Sequence, residues 1–407
     1  GGPMSDLRGF RGRYFFSFFL FISLACFQVS ASSPSFKWIT IDENSLDLTH
    51  KSIGSSFEEY KTVGGVSLIK IEKDAIQHLS SLMHVNFNRC GGYFLHDNLE
   101  EGKKFLKLRE KYSLIEKTNF ENYIISEQEI IRPMIEQVNE RKILGTIEKL
   151  TTFHNRYYQS ETGVQSQNWL KAKWEEIVKG RSDIKVEFFS HSWKQPSIIL
   201  TVEGTERPEE IVVLGGHADS IAGWWGRIRA RAPGADDNAS GIGTITEVLR
   251  VLVDNNYAPK RTIKFMAYAA EEAGLLGSKD IAGRMKNEKK NVVGVMQLDM
   301  TNYKGSELDI VMMDDYTNAD QNKFIGNLID EYVKVQWGYD KCGYACSDHA
   351  SWTMQGFPAS IPFEAKKNDM NKRIHTAGDT LDVSRNQASH ASHFAKLAIA
   401  YLVEMAK

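Results

Sequence analysis

The chain has 407 residues, of which 42% are hydrophobic and 25% charged, a composition typical of globular proteins that bury a large core. The same composition excludes fibrous and disordered proteins. A formal net charge of −2 excludes the overall positive field that nucleic-acid binding usually requires, so no nucleic-acid partner is expected.

The first recognisable segment, residues 4–31, is interpreted as a secretory signal peptide. Arginines precede the apolar run YFFSFFLFISLACF, and small residues follow it up to Ala31, the predicted cleavage position. The alternative, a lipid anchor at Cys26, is disfavoured because Ser23 stands where a lipid-modification motif would place leucine. We therefore expect a secreted protein that does not contact the membrane after signal removal.

Residues 32–125 are predicted to form a propeptide or a leading region. They are polar and weakly patterned, with an amphipathic stretch over 75–84 and a charged run over 99–112. A removable propeptide is favoured, with a cut between Leu114 and Ile130 that would leave a domain of ordinary size. A permanent accessory domain is the alternative.

From about residue 142 the pattern changes to alternating helices and strands. Apolar residues at helical spacing predict helices over 144–159 and 165–179, and further helices over 239–256, through FIGNLIDEYV and from His390 onward. The predicted strands are IKVEFF, SIILTV, IVVLGG, TIKFMAYA, VVGVMQL, LDIVMM and IPF. This alternation predicts an α/β fold, a three-layer α/β/α sandwich with a mixed, largely parallel central sheet.

Five short segments place histidines and carboxylates in loops that end or follow predicted strands. The residues are His217, Asp237, Glu271 with Glu272, Asp299 and His375. Three of these segments lie beyond the carboxyl ends of strands, where open α/β sheets bind ligands. Two histidines and three carboxylates can hold two zinc ions if one carboxylate bridges, which leaves one carboxylate as a base.

The neighbouring glutamates strengthen the metal interpretation. Glu271 and Glu272 follow an almost uncharged strand, where two like charges are costly unless cations neutralise them. The loop PGADDNASG has glycines that permit tight turns, and its Ser240 is predicted to cap the following helix. This loop lacks the lysine of a phosphate-binding loop, so nucleotide binding is not expected.

The segment CGYACSDH permits two further interpretations. Cys342 and Cys346 are close enough for a small-loop disulfide in an oxidising compartment, which we favour. Metal ligation by this pair is the alternative, although it needs further soft ligands nearby. Ser347, Asp348 and His349 are consecutive and cannot easily form a hydrolase triad, so we interpret them as supporting or structural residues.

Six motifs together resemble a known family. They are GGHADS, PGADDNASG, FMAYAAEEAGLLGS, QLDMTNYKGS, CGYACSDHASW and RIHTAGDTL. In order, spacing and flanking residues they are similar to bacterial secreted leucyl aminopeptidases, zinc-dependent exopeptidases with a co-catalytic metal pair. The resemblance runs from about residue 143 to the C-terminus. It implies two zinc ions as cofactors and a catalytic domain over residues 126–407.

The resemblance also assigns a role to each metal-site residue. Asp237 would bridge the two ions, and the peptide bond after it would be cis. Glu272 and His375 would complete one metal site. His217 and Asp299 would complete the other.

The resemblance also assigns the residues that transfer protons and those that orient the ligands. Zinc ions lower the pKa of water, and Glu271, beside the metals but not on them, would take its proton and deliver it to the leaving amine. Tyr344 is the candidate hydrogen-bond donor to the oxyanion. Asp219 would accept a hydrogen bond from the His217 imidazole and fix its tautomer.

The implied substrates are peptides with a free N-terminus, since an acylated amine could not ligate a metal. The wall of the first side-chain pocket would comprise Met300, Met313, Cys342, Tyr344, Cys346, Ile361, Phe363 and Ile374. Such a wall favours leucine, methionine or phenylalanine. Lys367 and Met370 stand where close relatives have aromatic residues, so acidic or amide side chains remain an alternative.

Two other functions stay open at this point. One is a related metallo-hydrolase, such as a carboxypeptidase or a glutaminyl cyclase. The other is a non-catalytic exported binding protein, which would be expected to lack a ligand or the base, yet all six positions are present. The resemblance further implies that the propeptide is an intramolecular inhibitor or a folding aid.

Overall fold

The computed structural model describes residues 35–53, 57–87, 92–112, 123–223 and 227–407. The predicted signal peptide and most of the predicted cut interval lie outside these ranges. Within them, every helix is too short or too polar to cross a membrane.

Residues 35–112, here called the leading region, contain a four-stranded antiparallel sheet and three helices. The strands pair in the order β2-β3-β1-β4. They are β1 (Phe36–Asp42), β2 (Phe57–Val63), β3 (Val66–Glu72) and β4 (Tyr93–His96). The helices are α1 (Leu46–Ile53), α2 (Ala75–Phe87) and α3 (Leu99–Tyr112). The amphipathic stretch and the charged run noted in the sequence are therefore α2 and α3.

Residues 123–407, here called the sandwich, are built on an eight-stranded sheet. Its strands are β5 (Ile184–Phe189), β6 (Ser197–Val202), β7 (Arg207–His217), β8 (Arg261–Tyr268), β9 (Asn291–Gln297), β10 (Ile310–Met313), β11 (Trp337–Asp340) and β12 (Ala359–Phe363). They pair in the order β11-β10-β12-β9-β7-β8-β6-β5. The central strands β12, β9, β7 and β8 run parallel, and antiparallel pairings flank them.

Helices cover both faces of this sheet. They are α4 (Gln128–Ile135), α5 (Glu140–Thr151), α6 (Glu161–Ile177), α7 (Ala239–Asp254), α8 (Leu276–Asn287), α9 (Ala319–Leu328) with a π-helical turn (Ile329–Val333), α10 (His349–Met354) and α11 (Ser389–Met405). Alternate residues of β7 point to opposite faces, as a pleated strand requires. Val212 and Leu214 join the core beneath α5, α7 and α11, whereas Ile211 and Val213 join the core beneath α8 and α10. The predicted α/β/α sandwich is confirmed.

The predicted helix over 144–159 was too long. Helix α5 ends at Thr151, and residues 155–157 form a loop segment buried in the sandwich. The reason is tertiary, because the fully buried Arg156 donates hydrogen bonds to the carbonyl groups of Ala218, Pro233 and Gly234. Strand β11 was not predicted at all, since its sequence WGYD has no apolar alternation.

The beginning of the sandwich is attached to its last helix. The amide groups of Ser126 and Glu127 donate to the buried carboxylate of Glu404 in α11, at 3.1 and 2.9 Å. Tyr332 donates to the same carboxylate at 2.6 Å. These contacts are compatible with a domain that begins near residue 126, a boundary that stays a prediction.

The leading region packs against the sandwich beside the loop that follows β8. Leu68 and Phe105 share an apolar cluster with Leu275 and Met354 of the sandwich. At the polar edge of this contact, Lys279 forms an ion pair with Glu101 at 2.7 Å. The leading sheet is therefore joined to the segment that carries the two adjacent glutamates.

Candidate metal centre

Three neighbouring strands bring the metal-site segments together. His217 is the last residue of β7, while Glu271 and Glu272 follow β8 and Asp299 follows β9. Strand β7 lies between β8 and β9 and is parallel to both. Their carboxyl ends therefore meet at one sheet edge, as the sequence predicted.

The side chains form two groups that share one carboxylate. In the first group, His217 Nε2 lies 3.1 Å from Asp237 Oδ1 and 3.2 Å from Asp299 Oδ1. In the second, His375 Nε2 lies 2.9 Å from Asp237 Oδ2 and 3.2 Å from Glu272 Oε2. Each group has the composition of a metal site. Asp237 offers one oxygen to each.

These distances fit metal coordination. Zinc binds nitrogen and oxygen at about 2.1 Å, so two ligands of one tetrahedral ion lie about 3.4 Å apart. The ligand atoms also lie in a buried setting, because His375 is 8% exposed and the other four residues 2% or less. A buried site with this many carboxylates needs cations. The donor set therefore fits one or more ions of the zinc type.

The pKa values show the same demand for positive charge. Burial opposes protonation of both imidazoles, yet Glu272 and Asp237 raise the pKa of His375 to about 10. Asp299 and Glu271 likewise raise the pKa of His217 well above its usual range. Burial would raise the pKa of Asp237, but the two imidazoles lower it. The carboxylates of the cluster thus favour positive charge at both imidazole positions.

Glu271 differs from the ligand carboxylates. It is completely buried, and neither carboxylate oxygen accepts a hydrogen bond from any residue that the structure describes. Burial, reinforced by the negative charge of Glu272, raises the pKa of the Glu271 carboxyl well above its usual range. A buried carboxyl group with a raised pKa beside a ligand cluster is a candidate for accepting and returning a proton.

The backbone around the centre adopts unusual conformations. Ala270, Met300 and His375 have φ values of 58°, 60° and 58°, a region that non-glycine residues seldom occupy. Each lies at or next to a metal-site residue, as strained residues at functional sites often do. The peptide bond between Asp237 and Asn238 is cis, as the resemblance implied.

Asp219 contacts the centre through both its backbone oxygen and its carboxylate. His217 Nδ1 makes its hydrogen bond to the backbone oxygen of Asp219 at 3.2 Å, whereas the Asp219 carboxylate lies 3.4 Å away. The carboxylate accepts hydrogen bonds from the amides of Glu271 and Glu272, at 3.0 and 3.2 Å. Asp219 therefore orients the imidazole and also fixes the two glutamates.

Asn238, rather than Ser240, caps the helix after the bridging acid. Helix α7 begins at Ala239, and the Asn238 side chain accepts from the Gly241 amide. The prediction for Ser240 was wrong because Ser240 already lies inside the helix, where its hydroxyl donates to the Asp236 carbonyl oxygen. Asn238 also donates to the carbonyl groups of His217 and Leu298, which ties β7 and β9 to α7.

Further buried acids that we did not predict lie beneath the bridging loop. Asp379 accepts hydrogen bonds from the amides of Asp236 and Asp237, and Asn371 donates to both Asp236 and Asp379. Burial raises the pKa of Asp379 to about 8 and that of Asp236 to about 6. The only sequence signal was proximity, since Asp236 precedes the bridging acid and Asp379 follows His375 by four positions.

Arg156 was missed because it lies far from every motif. Its guanidinium donates to Ala218 O at 2.9 Å, Pro233 O at 2.5 Å and Gly234 O at 2.9 Å. These carbonyl groups belong to the loops that carry His217 and Asp237. Burial lowers the pKa of Arg156 to about 10, which leaves it cationic beside the acidic centre. It therefore links two ligand loops and partly offsets their negative charge.

The SDH segment has supporting positions, as the sequence suggested. Ser347 donates to Asp299 Oδ2 at 2.6 Å, which orients that ligand. Gln297 donates to Ser347 at 3.1 Å and to Asp348 at 2.9 Å. His349 Nε2 donates to the backbone carbonyl oxygen of Asp315 at 3.1 Å rather than to Ser347. None of these contacts resembles a serine-hydrolase triad.

Most of the expected pocket residues lie in one apolar cluster. The cluster contains Met300, Met313, Ile361, Phe363, Met370 and Ile374, joined by Cys342 and by the unpredicted Val311 and Leu308. Cys346 is linked to it through a disulfide bond with Cys342. Lys367 adjoins it, with Nζ 3.1 Å from Met370 Sδ. The predicted wall is thus contiguous in space.

Tyr344 lies on the disulfide loop and is almost completely buried. Lys367 Nζ lies 5.5 Å from the centre of its ring. Tyr344 also lines a small cavity with residues of the leading region, among them Tyr93 and Phe94. The expected oxyanion donor is therefore located between the pocket and the leading region.

Comparisons with known proteins match this geometry. A family model described as peptidase family M28 matches residues 197–401. A probable aminopeptidase of Saccharomyces cerevisiae is 38% identical over 290 residues, which cover 69% of this chain and 77% of that protein. Leucine aminopeptidase 1 of Coccidioides posadasii is 38% identical over 296 residues, which cover 69% and 75%.

A solved structure extends the likeness beyond the sandwich. The LapA aminopeptidase of Legionella pneumophila has a TM-score of 0.77 at 29% identity and covers 92% of this chain and 99% of its own. The covered share of this chain is larger than the share that residues 126–407 make up, so the likeness includes much of the leading region. Together these matches confirm the predicted resemblance to aminopeptidases and extend it to fungal proteins.

The position of Arg156 generates a prediction about metal affinity. Arg156→Met removes the donors to both ligand loops, so the affinity for zinc should fall about 10- to 100-fold, the range typical of lost outer contacts. Arg156→Lys should recover only part of it, because one ammonium cannot reproduce the guanidinium fork. Zinc content after dialysis at fixed free zinc measures the change.

A matched control is Arg141→Met, since Arg141 is exposed on α5. The control should bind zinc as the parent does. Undiminished zinc affinity in folded Arg156→Met would contradict the linking role of Arg156.

Proposed function

The chain belongs to peptidase family M28, and we propose that it is a secreted zinc-dependent aminopeptidase that releases leucine-like N-terminal residues from peptides. The family is metal-dependent, and the chain is a metallo-aminopeptidase by its relatives. One observation carries the finer proposal: the two oxygens of Asp237 each face a histidine that is completed by a second carboxylate. This arrangement suits two ions joined by one bridge.

We assign each ion its ligands from the two groups. His217 and Asp299 would hold one zinc ion, and Glu272 and His375 the other, with Asp237 shared between them. When bound, zinc ions supply Lewis-acid chemistry that lowers the pKa of water and polarises a carbonyl group. The buried acidic setting then leaves one carboxylate, Glu271, for proton transfer.

Glu271 is the proposed general base and acid. It takes a proton from the attacking water and later delivers it to the nitrogen of the leaving amine. Its raised pKa and complete burial support this role, because a carboxyl group of ordinary pKa would return the proton poorly. Tyr344 is proposed as the hydrogen-bond donor to the oxyanion.

A free N-terminus suits the surroundings of the centre. The amine of such a peptide offers a lone pair or a positive charge to a cluster that contains Glu271 and Glu272. An acylated nitrogen offers neither. The methionine- and isoleucine-rich cluster beside Met300 supports a preference for leucine-like side chains. Lys367 at its edge is the residue that would broaden this preference toward acidic or amide side chains.

The leading region is proposed to inhibit the enzyme until it is removed. All five proposed ligands are at most 8% exposed in the full chain. The Tyr93 hydroxyl lies 3.5 Å from the carbonyl oxygen of Ala273, next to the glutamate pair. Leading-region residues also line the cavity beside Tyr344. Export would accompany this arrangement through the predicted signal peptide over residues 4–31.

The substrate proposal predicts a difference between two anilides. Protein freed of the residues before Tyr123 should hydrolyse leucine anilide but not N-acetyl-leucine anilide. A chelator should abolish the activity and zinc should restore it, because the chemistry depends on the ions. Initial rates measure both effects. Preference for the acetylated compound, or chelator-resistant cleavage, would contradict the proposal.

Substitutions of the two adjacent glutamates should impair different properties of the enzyme. Glu271→Gln should retain zinc but lower kcat roughly 100- to 10,000-fold, the range for a lost acid–base group. Glu272→Gln should instead lose zinc affinity. Zinc content and kcat, measured on both variants, separate the roles. Near-normal turnover of Glu271→Gln would rule out Glu271 as the base.

Removal of the leading region should raise activity. We expect limited proteolysis of the full chain to increase the rate on leucine anilide as the sandwich fragment accumulates. Gel analysis and rate should be followed together. A matched test is Tyr93→Ala, which weakens the contact near Ala273 and should raise the basal rate without proteolysis. Equal rates for the full chain and the fragment would exclude inhibition by the leading region.

A further inference from the structure

A second cluster of metal-ligating side chains lies away from the centre described above. It consists of Asp309, His390 and His393. Each offers one ligand atom, and these three atoms lie within 4.8 Å of one another. Asp309 directly precedes β10, and both histidines lie in the first turns of α11. The cluster therefore joins the sheet to the C-terminal helix. None of the motifs in the sequence includes these residues.

The ring of His390 is held in one orientation. Its Nε2 lies 3.1 Å from the carbonyl oxygen of Glu364, and the side chain is buried. Because a carbonyl group only accepts hydrogen bonds, Nε2 carries the proton and the lone pair is on Nδ1. Histidine ligands in metal sites usually donate their other ring nitrogen in this way. His390 is thus prepared to ligate through Nδ1.

The carboxylate of Asp309 is also fixed in place. Its Oδ2 accepts from the Gln336 amide at 3.2 Å, and its Oδ1 accepts from Lys304 Nζ at 2.6 Å. The lysine is half-exposed and long, so it can turn toward solvent. Lys304 is therefore a cation that a metal ion would have to displace from Asp309.

We propose that Asp309, His390 and His393 form an additional site for a divalent transition metal such as zinc. Two imidazoles and one carboxylate are a ligand set that zinc accepts, with water in the remaining position. The positive end of the α11 dipole repels a cation at this position, and the negative charge of Asp309 offsets that repulsion. A bound ion would link β10 to the first turns of α11 and so stabilise the sandwich.

Zinc content tests the site directly. The full chain and its variants are dialysed against zinc at fixed free concentration, and the metal is counted per chain. Folded His393→Gln and Asp309→Asn should each hold one zinc ion fewer than the parent. The parent and these variants share the same centre at Asp237, so the difference in their zinc content does not depend on the proposed function. His154→Gln, a change of an exposed histidine, should leave the zinc content unaltered.

Lys304→Met provides the opposite change. Removing the competing cation should tighten zinc binding at this site by about tenfold, since Lys304 no longer pairs with Asp309. Added zinc should also raise the Tm of this variant and of the parent more than that of His393→Gln. Equal zinc content in the parent and in both ligand variants, or weaker binding by Lys304→Met, would overturn the proposal.

Discussion

The buried carboxylate of Asp237 is the constraint on which the rest of the structure depends. Its two oxygens face His217 Nε2 and His375 Nε2 at 3.1 and 2.9 Å, in a setting that is almost closed to water. A charge in such a place must be neutralised by cations and held by hydrogen bonds. The loops around it can be understood as the means of meeting these two requirements.

Hydrogen bonds between loops meet the second requirement. Asp379 accepts from the amides of Asp236 and of the bridging acid itself. Asp219 accepts from the amides of the glutamate pair, and Asn238 connects β7 with β9. Arg156 donates to the carbonyl groups of Ala218 and Gly234, which lie in the loops that carry His217 and Asp237. Ligand positions are therefore set by segments distant in sequence. Such preorganisation keeps a polar site in one geometry without relying on flexible surface contacts.

The leading region packs beside the segment that carries the glutamate pair of this centre. It has its own sheet and core, and it contacts the loop between the glutamate pair and α8 through Leu68, Phe105 and Tyr93. A contact at this loop can affect the access of a substrate to the centre and the position of Glu271. The proposed inhibitory role of the leading region rests on this contact, since the region supplies none of the proposed ligands.

The sequence by itself determined the α/β/α sandwich and seven of its eight strands, because short apolar runs alternate with amphipathic helices and this periodicity is local to each segment. It also determined the candidate ligands, since each follows a strand or lies in a distinctive loop. Only the tertiary structure decided where helix α5 ends, that Asn238 rather than Ser240 caps α7, and that Arg156, Asp379 and the cluster at His390 matter. The reason is physical: these roles arise from hydrogen bonds and approaches between residues far apart in the chain, which leave no periodic signal in the sequence around them.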